Sequence, residues 1–472
     1  MMNIIKIISM FMLVIFLIIG CTEFVSVPED SELTDGEEVQ IEEEALEEEP
    51  LEDGIVPLEK KDNPIQSEKP EQPKDSKERP NNQGDKEPKE PKENEKAPQY
   101  SVDQAISDNA QLTTIAFSGL AFLTGTEGAD GFFPPGKVAD FFGFQYMRDV
   151  DVSGYGHNTT FLTKIASNML YILNDEQLDM LKELASEQSS LYEEFGMGRL
   201  VMIDAFRKHY EEGLTLNNDG VVEHSEELYS IDAKLSLNRA KVFGAIVQSF
   251  TDEQIDYIEA MSFNDSSTWP EIDEEGLLDK RSMSHLEHVA VMTYASELFS
   301  WYAGSLEADV YFCPERHGTY FGGFYMKDYP AMGNPDYFIS TSITGDSGKE
   351  FLEILTEEQR ILITSIIEEQ KPSLERIVEI RQLVSEALRS LMTEETLDEA
   401  LIMELLNEYG TLEGEMSLLY ATRFAEVGKM LTEDQMEKLI ELRNQNVYPE
   451  GAYLYSSPIP MPADMDSSDL IE

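Results

Sequence analysis

Two pairs of residues in this chain have types and spacings that suit metal binding or nucleophilic catalysis. Cys313 is followed four positions later by His317, and His285 is followed three positions later by His288. A thiolate and an imidazole can share a soft metal ion, or the imidazole can serve as the base for a cysteine nucleophile. The two histidines fall on one face of a predicted helix, which would let both rings reach one ion. One hypothesis is therefore a metal, haem or small-ligand site, with the cofactor itself unknown.

The sequence lacks the motifs that would extend either pair into a recognised active site. It contains no Cys-x-x-Cys-His, no His-Glu-x-x-His, no Gly-x-Ser-x-Gly and no phosphate-binding glycine loop. No set of acid, base and nucleophile can be assembled from spacing. We therefore predict a protein that acts by binding rather than by catalysis.

An aromatic stretch occurs twice and supplies a second kind of candidate site. Phe141–Asp149 returns 179 positions later as Tyr320–Asp328, and the match extends upstream without a gap to Gly125 and Gly304. This repetition predicts an internal duplication. The side chains that could line a cleft and offer stacking plus one charge are Tyr146, Met147, Arg148, Asp149, Tyr325, Met326, Lys327 and Asp328. The alternative interpretation is structural, with the aromatic and methionine side chains filling a groove between helices.

The two copies differ at the positions that could carry chemistry. Cys313 and His317 correspond to Pro134 and Val138 in the first copy. Any thiol and imidazole site would therefore exist once, in the second copy. We predict that Tyr320–Asp328 is the more functional of the two stretches.

The first residues of the chain are typical of an export signal. Lys6 precedes an apolar run, and the run ends in Ile18-Ile19-Gly20-Cys21. These four residues resemble the lipobox of lipoproteins. The resemblance implies that Cys21 becomes a lipidated first residue, which would tether an extracytoplasmic protein to the membrane. The alternative is an uncleaved membrane anchor.

Residues 21–100 have the composition of a solvated stalk. Val27–Gly54 contains fourteen Asp and Glu and no Lys or Arg, and Glu59–Pro98 is a mixture of Lys, Glu and Pro. Such segments cannot bury enough apolar surface to offset the entropy of ordering. We expect them to hold a globular part away from the membrane surface.

The charge and periodicity of the remainder predict an acidic all-α domain. The whole chain has a formal charge of −58, which argues against nucleic acid as a partner. Leu374, Ile377, Val384 and Leu388 follow helical spacing and would line one face of a helix. Pro372 predicts a break just before that helix, and hence a helical hairpin.

Four short stretches share one pattern, two in each predicted repeat. They are Leu173–Gln177, Phe250–Gln254, Leu355–Gln359 and Leu431–Gln435. The pattern resembles the LTxxQ motif of the Spy and CpxP family of small, all-helical extracytoplasmic chaperones and stress sensors, which dimerise into a curved cradle. The resemblance implies that one duplicated chain forms such a pair within itself. The same residues also form a capping box at the start of any helix, and both interpretations stay open.

These observations predict a signal peptide, a stalk and two helical repeats. The predicted limits are 1–20 for the signal, 21–100 for the stalk, 101–262 and 284–445 for the repeats, 263–283 for the linker between them, and 446–472 for a tail. The predicted function is a membrane-anchored, extracytoplasmic binding protein that holds apolar segments of unfolded or partner proteins between its two halves. The alternative is the metal, haem or small-ligand site at Cys313 and His317.

Overall fold

The predicted all-α fold is confirmed in the part of the chain that the structure describes. This computed structural model describes residues 102–125, 141–142, 160–262, 268–272, 277–279, 281–310, 320–321, 347–393, 396–446 and 465–472. All of them belong to the compact unit Pro88–Glu472. Within these ranges the structure holds no strand, and Leu216 and Ile471 form one isolated antiparallel bridge.

The α-helices are numbered here in chain order. They are α1 Val102–Ala105, α2 Asp108–Thr124, α3 Thr160–Ile172, α4 Asp175–Glu211, α5 Asn218–Gln248, α6 Asp252–Ala260, α7 His285–Ala303, α8 Leu306–Val310, α9 Ser347–Ile354, α10 Glu357–Ser390, α11 Glu399–Met430 and α12 Glu433–Asn446. A 3-10 turn follows at Ser468–Leu470. In the described residues no helix is both long and apolar enough to span a membrane.

The central contact of the fold is the crossing of α5 and α11. Lys241 of α5 pairs with Glu399 at the start of α11, whereas Val222 at the start of α5 lies against Gly414. The two helices therefore run antiparallel. They approach closely because α11 carries glycine at the crossing: an added Cβ on Gly410 would lie 2.7 Å from the Cα of Glu226.

One helix near the start of each half packs into the other half. We define the first half as residues 102–262 and the second half as residues 281–446. Helix α2 of the first half lies against α9, α10, α11 and α12, while α7 of the second half lies against α3, α4 and α6. The aromatic ring of Phe351 illustrates the exchange, because it lies 3.4 Å from where a Cβ on Gly119 would be.

The main helices follow the same order in both halves, and the common origin of the halves remains a prediction. Apart from the short helices α1 and α8, each half has a helix near its start, a helix before the first capping box, two long helices and a terminal helix. The sequence offset of 179 places α2 opposite α7. The glutamines of the helix starts give offsets of 182 for the first long helices (Gln177 and Gln359) and 181 after them (Gln254 and Gln435), and these offsets define the matching positions compared below.

The predicted break at Pro372 was wrong. Helix α10 runs without interruption from Glu357 to Ser390 with Pro372 inside it, so no hairpin forms there. Pro372 lies on the exposed face, where water can satisfy the carbonyl that loses its helical partner. On both sides of the proline the opposite face is buried, with Ile366 before it and Leu374 after it. Packing of that continuous apolar face outweighs the local cost of the proline.

The four predicted helix starts are confirmed. Asn174, Thr251 and Thr356 each cap a helix and form a complete capping box with the glutamine three positions later. At the start of α12, the backbone N–H of Thr432 donates to the side-chain Oε1 of Gln435. The backbone N–H of Gln435 donates in turn to the Thr432 hydroxyl. Each start thus satisfies backbone donors that a helix leaves open.

Candidate functional site

Most of the residues predicted to form a site lie outside the described residues. This holds for Cys21, Cys313 and His317, and for all eight cleft candidates: Tyr146, Met147, Arg148, Asp149, Tyr325, Met326, Lys327 and Asp328. His285 begins α7, as its predicted helical position requires, and His288 is buried on the same helix with 7% of its surface exposed. Among the described residues no three His, Cys, Asp or Glu side chains gather into a group that could hold a metal ion.

The structure does place the starts of both aromatic stretches, and it places them in the core. Phe141, Phe142 and Phe321 have no exposed surface, and Tyr320 has 1%. The groove-filling interpretation is thus confirmed for Phe142 and Phe321. Each stretch begins from a fixed point inside the helical body.

A buried arginine covers the first aromatic ring of each stretch. The guanidinium of Arg381 on α10 lies 4.2 Å from the centre of the Phe141 ring, and that of Arg199 on α4 lies 4.0 Å from the centre of the Tyr320 ring. Both arginines are buried, and a cation over an aromatic face is stabilising when both are removed from water. In each case the arginine belongs to one half and the aromatic ring to the other.

The second aromatic ring of each stretch packs edge-on into a cluster of rings. Phe142 makes T-shaped contacts with Phe243 at 5.2 Å and with Trp301 at 5.6 Å between ring centres. Phe321 makes the corresponding contacts with Phe424 and Phe122, both at 5.4 Å. Edge-to-face pairs of this kind add stabilisation beyond the apolar area that they bury. Each cluster joins helices of both halves.

A second buried arginine contact fixes Arg381. Its Nη2 donates to the backbone carbonyl of Asp309 at 2.9 Å, and the Asp309 carboxylate is paired with Arg389 through both oxygens. Asp309 is buried on α8, and both arginines belong to α10. The end of α8 and the ring of Phe141 are thereby held against one helix.

A fully buried ion pair joins the two halves. Arg239 of α5 donates through Nη1 to both oxygens of Glu297 on α7, at 3.0 and 3.2 Å, and through Nη2 to the Tyr192 hydroxyl at 2.9 Å. The hydroxyls of Tyr192 and Tyr294 in turn donate to the side-chain Oε1 of Gln188, at 2.7 and 2.6 Å. Both charged side chains have no exposed surface. The network joins α4, α5 and α7.

The environment of this network shifts the pKa of two members. Burial alone would lower the pKa of Arg239, but the charge of Glu297 and the contact with Tyr192 outweigh burial and raise it. Burial raises the pKa of Tyr192, and the charge of Arg239 opposes that effect without cancelling it. Arg239 therefore stays charged and Tyr192 stays protonated, as the hydrogen bonds require.

The matching place in the second half holds a network of uncharged groups. The Tyr420 hydroxyl of α11 donates to the side-chain Oε1 of Gln370 at 2.7 Å, and the Gln370 side chain donates through Nε2 to Oε1 of Gln111 on α2 at 2.8 Å. Burial, followed by the charge of Glu413, raises the pKa of the Tyr420 hydroxyl well above its ordinary value. Gln370 matches Gln188, and Tyr420 stands where the first half has Arg239. The two halves thus use different chemistry to hold the helix contributed by the other half.

The glutamines of the four helix starts meet in two reciprocal pairs. Gln254 donates to Gln177 at 2.7 Å and to the Ile172 carbonyl at 2.8 Å. In the second half Gln435 donates to Gln359 at 2.8 Å and to the Ile354 carbonyl at 3.0 Å. Each pair ties the start of a long helix to the start of the terminal helix of the same half.

Sequence reasoning missed the buried arginines and Glu297. A signal was present, because Arg199 and Arg381 occupy matching positions of two long helices and fall among their apolar residues. A charged residue within an apolar face is rarely buried without a partner. The aromatic partners lie more than a hundred positions away in sequence, so the pattern could not identify them.

Comparison of the chain with protein-family models, with curated proteins and with solved structures found no match.

Proposed function

We propose that this chain is a membrane-anchored, extracytoplasmic binding protein whose two aromatic stretches contact exposed apolar segments of partner or unfolded proteins. The observation that carries the proposal is the anchoring of Phe141, Phe142, Tyr320 and Phe321 in the core. Binding residues are often presented by connecting segments that a rigid scaffold positions. Here the scaffold fixes both segments at matching points.

The sequences that follow these anchors suit binding of apolar peptide segments. After Phe142 the chain continues as Gly-Phe-Gln-Tyr-Met-Arg-Asp, and after Phe321 as Gly-Gly-Phe-Tyr-Met-Lys-Asp. Tyrosine and methionine supply large, adaptable apolar contacts, and the final pair of charges can orient a polar backbone or side chain. The membrane anchor and extracytoplasmic location rest on the resemblance of Ile18–Cys21 to a lipobox.

Several buried polar side chains of the described residues form hydrogen bonds that hold helices together. Arg239, Glu297, Gln188 and Gln370 all bond between helices inside the core. This arrangement favours a rigid scaffold over a solvent-accessible reaction centre. It supports binding as the class of function.

Suppression of aggregation tests the proposal. The full-length chain, purified in detergent, is added at an equimolar ratio to an unfolded test protein, and light scattering follows aggregation. We expect the scattering rate to fall at least about twofold, because the client segments that nucleate aggregation would be held. Absence of any suppression would show that the proposed chaperone activity is wrong.

Variants identify the contacting segment. Tyr325→Ser with Met326→Ser, and separately Tyr146→Ser with Met147→Ser, remove the apolar side chains while leaving the buried anchors intact. Ile361→Ser is the matched control, since its side chain is 54% exposed on α10 and lies outside both stretches. The double variants should lose most of the suppression and the control should retain it. Equal suppression by the wild-type chain, both double variants and the control would show that the client segments bind outside the two aromatic stretches.

A further inference from the structure

Residues 465–472 lie against the body of the first half, with a 3-10 turn at Ser468–Leu470 and extended backbone at Ile471. They follow α12 through residues 447–464 and contact the end of α4, the turn at Glu212–Asn217 and the start of α5. Leu470 is buried with 2% of its surface exposed, and Ile471 packs against the core. The first half thus carries a surface that already holds a short peptide.

Backbone hydrogen bonds fix the register of this peptide. The amide of Asn217 donates to the Leu470 carbonyl at 2.9 Å, and the amide of Glu472 donates to the Thr215 carbonyl at 2.9 Å. The bridge between Leu216 and Ile471 is antiparallel. The Asn217 side chain also donates to the Asp469 carbonyl at 2.9 Å. Main-chain hydrogen bonds on both sides of the bridge at Ile471 thus hold the end of the peptide, as in other modes of peptide recognition that use the backbone.

Two side chains of the peptide, those of Ser467 and Leu470, contact the protein surface directly. The hydroxyl of Ser467 donates to the Asp204 carboxylate at 2.6 Å and accepts from Lys208 at 3.0 Å. Ser467 is itself buried, with 2% exposed, and Leu470 three positions later enters the apolar surface. The recognised pattern is therefore a hydroxyl residue followed three positions later by leucine.

The protein surface is shaped for this occupant. Gly220 lies in the first turn of α5, where an added Cβ would be 2.5 Å from the Asp469 carbonyl oxygen. The matching position of the second half is Leu401, whose side chain is 47% exposed. The glycine is thus needed in the half that holds the peptide and is replaced in the other half.

We propose that the end of α4, the 212–217 turn and the start of α5 form a peptide-recognition site for short acidic segments of the pattern Ser-x-x-Leu, closed in this chain by its own residues 465–472. This site is separate from the aromatic stretches of the proposed function. Because the peptide is tethered, its effective concentration at the site is on the order of millimolar. A free peptide therefore competes only when the tethered one is weakened.

The test uses the full-length chain and a labelled free peptide with the sequence Met-Asp-Ser-Ser-Asp-Leu-Ile-Glu. The variant Leu470→Ala weakens the tethered peptide without altering the site. Fluorescence anisotropy should show that this variant binds the free peptide at least about tenfold more tightly than the wild-type chain does. A free peptide with alanine in place of its leucine should not bind, and adding Gly220→Leu to the variant should abolish binding of the original peptide.

Hydrogen exchange shows whether the site has opened. In the wild-type chain the amide of Asn217 should be protected, because it donates to the Leu470 carbonyl, and in Leu470→Ala it should exchange faster while the cores of α4 and α5 remain protected. If the site opens and the free peptide still does not bind, the proposed recognition site is wrong. Unchanged protection of Asn217 would also overturn it, since Leu470 would then not hold the peptide in place.

Discussion

The buried ion pair of Arg239 and Glu297 provides the sharpest test of how α7 of the second half is held against the first half. Both side chains have no exposed surface, and Arg239 contacts both carboxylate oxygens and the Tyr192 hydroxyl. Replacing Glu297 with leucine would leave a buried guanidinium without its counter-ion. Removal of one member of such a pair costs about 3–5 kcal/mol of unfolding free energy, because the remaining charge has lost its water and its partner.

A double-mutant cycle measures the coupling. Arg239→Leu and Glu297→Leu should each destabilise the chain by about 3–5 kcal/mol, whereas the double variant should lose at least about 2 kcal/mol less than their sum. The smaller loss is expected because the double variant removes both members of the pair and leaves neither charge buried without the other. Urea denaturation followed by circular dichroism at 222 nm provides the free energies.

A surface pair serves as the control for this cycle. Arg423 and Glu369 form an ion pair at 3.0 Å with partly exposed side chains. Glu369→Leu should cost less than about 1 kcal/mol, because water already screens the pair. If the Glu297→Leu variant were equally mild, or if the two core substitutions were additive, the assignment of the buried pair as a coupled structural unit would be refuted.

Two further substitutions test the helix starts and the surface ion pairs. Gln254→Ala should lower the unfolding free energy, measured by urea denaturation, by about 1–3 kcal/mol, because it removes the buried partner of Gln177. The control Glu253→Ala, at a neighbouring exposed position, should lower it by less than about 0.5 kcal/mol. Equal losses would contradict the pairing. The hydrogen bond from the Arg376 guanidinium holds the pKa of Glu408 below its ordinary value. The pair therefore stabilises the fold at pH values above the pKa that Glu408 has in the unfolded chain. This stabilisation is lost as the pH falls through the lower pKa that Glu408 has in the folded chain. Glu408→Gln should therefore destabilise the chain by about 0.5 kcal/mol at pH 7 and by less in acid, and a pH-independent difference would contradict this.

The sequence determined the features that depend on residues a few positions apart. The four helix starts were predictable because a capping box involves only an N-cap residue and the glutamine three positions later. The all-α class followed from the helical spacing of apolar residues, as in Leu374 and Ile377. The same local reasoning failed at Pro372, since the packing of a buried face over the whole of α10 outweighed one lost hydrogen bond.

Only the tertiary structure decided which faces meet. An offset of 179 relates Phe141 to Tyr320 and one of 182 relates Arg199 to Arg381, but neither shows that each arginine covers the ring of the other half. Nor does it show that α2 and α7 are exchanged, or that residues 465–472 return to the turn before α5. The physical reason is that apolar periodicity identifies a face to be buried and not its partner, because the hydrophobic effect has no direction. Close packing, buried charge and hydrogen-bond geometry select the partner, and these act between residues far apart in the chain.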